Sequence, residues 1–409
     1  MKIFEQLRFL IILILCIPVF VLARVPKPKL LVYGSTLEAY TAALQASASG
    51  ISTVWINPRS YNFEIAKQQF ELSSQNQLDG GVISRLYNTT EAKEGADNAN
   101  FFSKAKQSTN HFRLNNPLLE IIDGVDVERL QRTKSWKCAL KNKLTFDVEV
   151  IIDAGLNNDL FQKSNLSAIS GPLFHKSIDL SIEDSRVVML VGERDSKVYA
   201  ARLQDLITQK DNYFVVSTTS FENESFRMAY GQVMGAIGGY CAFFKTTVDK
   251  IDIRTLQNEI LGYGARLLPF LDISAKDRNF ESVQRFYLSG ILKPYVDQNN
   301  SYFNAQDSIR VDEVKTIIQK FYSRAQLWFV DNQSVFLSVG GAVNLIKYTA
   351  FRGDELDLEV KNDWSKILSF KGDYNPSKPI TRYEFAVLFD KYATPFVKKI
   401  SQDGAVIYR

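Results

Sequence analysis

A parallel α/β domain followed by a helical repeat tail is the fold class that this sequence predicts, on three observations. A strand, a glycine turn, a helix and a second strand follow one another between Lys29 and Ile56. From Met228 to Phe244 the chain carries no charge and is rich in glycine. Near the end, Ile309 and Glu313 recur as Ile380 and Glu384, an offset of 71 positions, and Phe321 is matched by Tyr392.

The elements follow in order. Residues 29–33 are a short apolar run that stops at Gly34, as a buried strand does where it enters a tight turn. Residues 36–49 are rich in Ala, Leu and Gln, put Leu37, Tyr40 and Leu44 on one face, and end at Gly50, the expected helix C-cap. Residues 51–56 read as the second strand, which makes a βαβ unit, parallel and right-handed. Residues 58–116 are polar, hold an isolated Gly80-Gly81 pair, and give no assignable element. Apolar runs at 118–125, 144–152 and 186–191 are expected as further strands of the same sheet. Residues 228–244 read as a buried helix, too short and too glycine-rich to span a membrane.

Composition bounds the function. Of 409 residues, 45% are hydrophobic and 23% charged, enough for a packed core and against disorder. The net charge of +4 comes from 49 basic and 45 acidic residues with no basic run, so no nucleic-acid partner is expected. Lys2 and Arg8 precede an uncharged apolar stretch over residues 9–23, with Val21 and Ala23 as small residues at a cleavage position. The reading is a signal peptide over 1–23 and an extracytoplasmic destination: periplasmic, secreted or cell-envelope. The alternative is a membrane anchor formed by residues 9–23, a stretch shorter than the ~20 residues of a spanning helix.

Cys16 lies inside the apolar stretch without a small residue before it, so no lipid modification is expected. Cys138 and Cys241 read as two buried thiols, with a single bridge as the alternative. The two histidines, His111 and His175, lack flanking carboxylates at metal or triad spacing, and no metal site is expected.

The first candidate site is the strand-to-helix turn. A helix N-terminus after a strand offers free N–H groups and a positive dipole end to a pyrophosphate. The Gly-x-Gly-x-x-Gly/Ala positions of a Rossmann-like fingerprint hold Gly34, Thr36 and Ala39, with Ser35 between the first two. The acid that ends the second strand of such folds to bind ribose is here Asn57. The turn reads equally as nucleotide-binding or structural.

These residues resemble the FAD-dependent oxidoreductases of the glycine-glycine-threonine type. In that family a Thr stands at the position of Thr36, and Asn57-Pro58 corresponds to its Glu-Pro. Asp153-Ala154 resembles the segment that returns to the flavin. The acidic run that follows in the family is reduced here to Asp159. Gly231-Gln232 through Gly235, Gly238 and Gly239 resembles a helix whose N-terminus faces the flavin. Asp252, Arg254, Leu256 and Gln257, then Gly264 and Leu267, follow in the family's order. From the residues alone, the glycines admit either another backbone or a flat ligand.

The resemblance implies an α/β domain of the Rossmann-like FAD/NAD(P)-binding class over residues 28–272, FAD as cofactor, and an unknown small-molecule substrate. It gives the pyrophosphate to residues 34–39, ribose to Asn57, and the isoalloxazine border to residues 231–235. No catalytic acid or base is named.

The tail, residues 278–396, resembles surface-layer homology repeats. Phe280 to Ile291 is similar to the first helix of one, and Ile380-Thr381-Arg382-Tyr383-Glu384 is close to the Ile-Thr-Arg-Ala-Glu signature. The first copy has Val311 where the Arg would stand. The resemblance implies a cell-envelope glycan as partner, and the residues themselves also suit packing helices. Two functions follow: an extracytoplasmic FAD-dependent oxidoreductase, or a non-catalytic envelope protein that keeps the dinucleotide fold as a scaffold.

Overall fold

The computed structural model describes residues 27–61, 78, 80–84, 115–156, 159–167, 171–194, 197–207, 211–216 and 224–407. The targeting segment, most of the polar stretch after Pro58, and His111 lie outside them.

Strand β1 (Leu30–Tyr33), helix α1 (Leu37–Ala48) and strand β2 (Thr53–Asn57) form the expected βαβ unit. Gly34 carries φ +133°. Thr36 caps α1 by accepting from the Ala39 N–H at 3.2 Å. Every residue of α1 is buried, so the helix is sheathed all round rather than lying on a surface.

Strand β3 (Leu119–Asp123) adds beyond β2. β4 (Val127–Arg132), β5 (Trp136–Leu140) and β6 (Thr145–Val148) form a separate antiparallel sheet. β7 (Val150–Asp153) returns beside β1. β8 (His175–Lys176), β9 (Val188–Arg194) and β10 (Lys197–Arg202) form a second antiparallel sheet. β11 (Tyr213–Val215) completes the parallel sheet in the order β11-β7-β1-β2-β3.

The expectation of one sheet is therefore corrected. Residues 144–152 hold two strands of different sheets, separated at Glu149, and β9 belongs to a third sheet. An apolar run reports burial, and both faces of a layered domain are buried, so the run does not say which sheet takes it.

Helix α2 (Glu224–Phe244) is the buried helix read from the sequence, and it packs on α1, β7 and β9. Among the described residues no helix is long and apolar enough to cross a membrane. Cys138 and Cys241 are free and buried in different apolar cores, on opposite sides of the parallel sheet's contribution to each, and burial pushes both thiols up to about 12.

After α3 (Ile253–Gly262) comes the tail. It contains α4 (Phe280–Ser289), the hairpin β12 (Tyr295–Asp297) and β13 (Asn300–Tyr302), α5 (Val311–Phe321), α6 (Ala325–Asp331), α7 (Val339–Ala350), α8 (Glu355–Lys366) and α9 (Arg382–Ala393). In chain order the helices fall into three successive pairs, or lobes, α4 with α5, α6 with α7, and α8 with α9, and the closest packing runs between lobes, α4 on α9 and α7 on α9.

The lobes close on a backbone ring. Ile309 N–H donates to the Ile380 carbonyl (3.1 Å), Ile380 N–H to the Leu337 carbonyl (2.9 Å), and Leu337 N–H to the Ile309 carbonyl (3.0 Å). All three residues are buried. The third copy, Leu337-Ser338-Val339, escapes the sequence count because it shares neither the acid nor the 71-residue spacing of the other two.

Two buried arginines join the tail to the α/β domain. Arg254 of α3 donates to the Leu288 carbonyl (3.0 Å) and Gln257 Oε1 (2.7 Å), and its guanidinium lies 4.4 Å from the Phe396 ring centre. Arg186, at the end of the short helix Ile182–Arg186, donates to the carbonyls of Ser289 (3.1 Å) and Gly404 (3.1 Å). Leu288 and Ser289 end α4, where unpaired carbonyls and the negative dipole end favour cations. Burial, and then the charge of Arg186, pull Arg254 down to about 9, which still leaves it charged at neutral pH. Arg254→Met keeps the bulk and removes the donors. It should cost about 2–4 kcal/mol in urea unfolding, with the tail tryptophans Trp328 and Trp364 reporting an earlier, separate transition.

Candidate functional site

In an open parallel sheet, ligands bind outside the carboxyl ends of the strands. Here that edge gathers Tyr33-Gly34, Asn57, Asp123 and Asp153-Ala154, because β1, β2, β3 and β7 are neighbours in register.

The turn after β1 lies flush against the turn after β7. A Cβ on Gly34 would stand 2.4 Å from the Ala154 carbonyl oxygen, and Thr36 Oγ1 donates to that same oxygen at 3.0 Å. Only glycine fits there, and the reason is another backbone.

Asn57 sits at the end of β2 and is buried. Its Oδ1 accepts from Ser35 Oγ (2.6 Å) and Tyr61 N–H (2.9 Å). Its Nδ2 donates to Asp123 Oδ1 (2.6 Å) and the Tyr61 carbonyl (3.1 Å). An amide offers two lone pairs and two N–H groups, so this side chain has no capacity left. Ser35 Oγ also accepts from the Arg59 N–H at 2.8 Å. The turn after β1 and the end of β2 are thus tied directly together.

Beside this knot, Glu38 in the first turn of α1 is fully buried and receives a bidentate pair from Arg227 of α2 (2.7 and 3.0 Å). Asp153, also buried, accepts from Tyr213 Oη (2.7 Å) and the Gly155 N–H (3.0 Å). Burial, then Asp153, hold the Tyr213 hydroxyl far above its usual range, so it stays protonated as a donor. Asp159 opens a short helix, Asp159–Gln162, away from these contacts in the chain.

Gly231 and Gly235 of α2 face α1, while Gly238 faces Ile152 and Leu30 of the sheet. A Cβ on Gly231 would meet Thr41 Oγ1 at 2.2 Å and the Glu38 carbonyl oxygen at 2.3 Å; one on Gly235 would meet the Ala42 carbonyl oxygen at 2.4 Å. Of the two readings that the sequence leaves open for these glycines, the approach of another backbone is the one observed. Gln232, from the same helix, donates to Gln45 Oε1 (2.9 Å) and accepts from the Val82 N–H (3.1 Å). The cavity next to it, bounded by Gly192, Phe226 and Arg266, has about 20 Å³, room for one water.

Arg254 and Gln257, which follow this helix in the family's order, sit at the tail junction instead, with Gln257 Nε2 donating to the Arg186 and Val188 carbonyls (3.0 and 2.9 Å). His175 pairs with Asp205 at 3.1 Å beside Arg202. Arg382 of the tail signature is buried: it donates to the Phe303 and Lys293 carbonyls and to Glu313, and so holds the third lobe to the first.

The fold is α/β, with a Rossmann-like parallel sheet in the order β11-β7-β1-β2-β3 and a helical tail. No protein-family model matches the chain, and no curated protein does. Among solved structures it is similar to a bacillithiol disulfide reductase from Staphylococcus aureus (14% identity, 32% of this chain and 38% of that one, TM-score 0.18). It is also similar to a probable FAD-dependent monooxygenase from Pseudomonas aeruginosa (9%, 58% and 90%, 0.27) and to L-proline dehydrogenase from P. horikoshii (10%, 54% and 94%, 0.28). The chain spans little more than a third of the reductase. These likenesses are to oxidoreductases and carry no function over.

Among the described residues, Ser35 and Asn57 at the expected ribose position bond to each other, and the Gly231 and Gly235 faces are covered by Glu38, Thr41 and Ala42 of α1.

Two measurements check this geometry. Asn57→Asp swaps the donor to Asp123 for a second carboxylate, whose pKa in the fold should rise by repulsion and burial. A group raised in the fold stabilises below its unfolded pKa and loses that as pH climbs. The variant should match the parent near pH 3.5 and trail it by about 2–4 kcal/mol at pH 7. In α2, Gly235→Val should cost about 3 kcal/mol by overpacking. Gly239→Ala, whose Cβ would find its nearest neighbour at 3.5 Å, should gain about 0.5–1 kcal/mol in thermal unfolding.

Proposed function

We propose that this chain is a non-catalytic, extracytoplasmic protein of the cell envelope, in which the dinucleotide-type domain is a scaffold and the tail region binds glycan. The observation that carries the reading is the direct Ser35–Asn57 contact, which takes the place that a ribose would need.

A groove of about 460 Å³ lies where α3 meets the first and third lobes. Its size suits a small ligand of a few rings. Asn258, Asn279, Ser282, Lys391 and the Arg285–Asp390 pair line it with donors and acceptors, and Ile367 and Val397 give it exposed apolar edges. Arg285 is fixed on Asp390 by bonds of 2.8 to 3.1 Å, so the polar wall is preorganised. Hydroxyl-rich rings with apolar faces match that mix.

A flavin-binding reading keeps one observation in its favour: the Leu37 and Glu38 amides at the start of α1 have no partner among the described residues. The two readings separate by experiment. Purified protein incubated with excess FAD and desalted should show no absorbance between 300 and 550 nm. It should cosediment with purified peptidoglycan sacculi bearing their attached polysaccharide, and Asn258→Trp, an exposed substitution that fills the groove, should lower the bound fraction at least fivefold. Stoichiometric retained flavin overturns the scaffold; unchanged sedimentation of Asn258→Trp overturns the groove.

A further inference from the structure

Helix α2 ends in an exposed aromatic cluster. Phe243 is 60% exposed and Phe244 53%, their ring centres 4.9 Å apart, with Tyr240 4.5 Å from Phe244. Two adjacent large apolar side chains, each more than half exposed, form an apolar patch of the kind that marks an interaction site.

The topology fixes where the cluster points. α2 runs parallel to α1, with Gly231 against Glu38, Gly235 against Ala42 and Gly239 against Ala46. Both helices run toward the edge where the parallel strands begin. A Cβ on Gly238 would lie 3.0 Å from Leu30 Cδ1, and Leu30 opens β1. Phe243 and Phe244 stand a turn beyond that level, on the edge through which the chain enters the domain at Lys27 to Lys29. The residues that precede this entry include the uncharged apolar stretch 9–23.

We infer that this edge rests on a lipid bilayer, with Phe243 and Phe244 inserted in its interface, in the case that residues 9–23 stay attached as the membrane anchor rather than leaving as a signal peptide. The stretch 9–23 is shorter than the ~20 residues that span hydrocarbon unaided. Anchoring gains from a second contact, and Phe is among the side chains that bury at the headgroup–acyl boundary. Lys245, Asp249 and Lys250 follow the pair in the chain. Contact is with the interface itself, so zwitterionic lipid suffices for it. The glycan groove is not part of this edge, and the two proposals fail separately.

The test uses the full chain reconstituted into phosphatidylcholine vesicles, with and without brominated acyl chains that quench indole on contact. The four native tryptophans are all buried and give a constant background. The added emission of Phe243→Trp should fall at least twofold with brominated lipid. That of Phe351→Trp, at a 76% exposed position on the second lobe, should not change. Equal quenching at both sites, no quenching at either, or a chain that fails to float with the vesicles overturns the proposal. A Phe244→Trp variant repeats the measurement if the first does not fold.

Discussion

The close approach of α1 and α2 is the contact on which the rest of the domain depends. Gly231 and Gly235 have no side chains, so the α2 backbone reaches Glu38, Thr41 and Ala42 directly. The two helices form one slab over β1 and β7, and Gln232 links the slab to Gln45 and Val82. The seam leaves no space between the two backbones at Gly231 and Gly235, and beside it Ser35, Asn57, Tyr61 and Asp123 are joined in one hydrogen-bonded knot.

The junction between domain and tail obeys a different constraint. Arg186 and Arg254 are buried cations answered by carbonyl oxygens rather than by buried carboxylates. Burying a charge is tolerable only when its hydrogen bonds are met, and the end of α4 supplies carbonyls that otherwise lack donors. Each side therefore needs the other. The apolar core runs without a break from the α/β domain into the lobes, as expected of parts that form together.

Much of the fold was legible in the sequence because its signals are local. The run before Gly34, the Ala-rich helix with its Thr36 cap, the strand ending at Asn57 and the uncharged helix ending at Phe244 are where periodicity and turn chemistry put them. The Ile309 and Ile380 copies were legible too, since both keep an acid four residues on. Less local facts were not. Residues 144–152 read as one strand and are two, since burial on both faces hides a change of sheet. Leu337 was invisible as a third copy because it has Gly341 rather than an acid four residues on and does not share the 71-residue spacing.

The site shows the same division more sharply. Sequence by itself determined that a glycine had to follow β1, that an amide rather than an acid would end β2, and that one helix would carry a row of glycines. Those are properties of single residues and their neighbours in the chain. Only the tertiary structure decided what each one faces: Ala154 for Gly34, the Ser35–Asp123–Tyr61 knot for Asn57, and α1 for Gly231 and Gly235. Spacing gives the places where close approach is possible. What approaches comes from elsewhere in the chain, and its identity is set by packing.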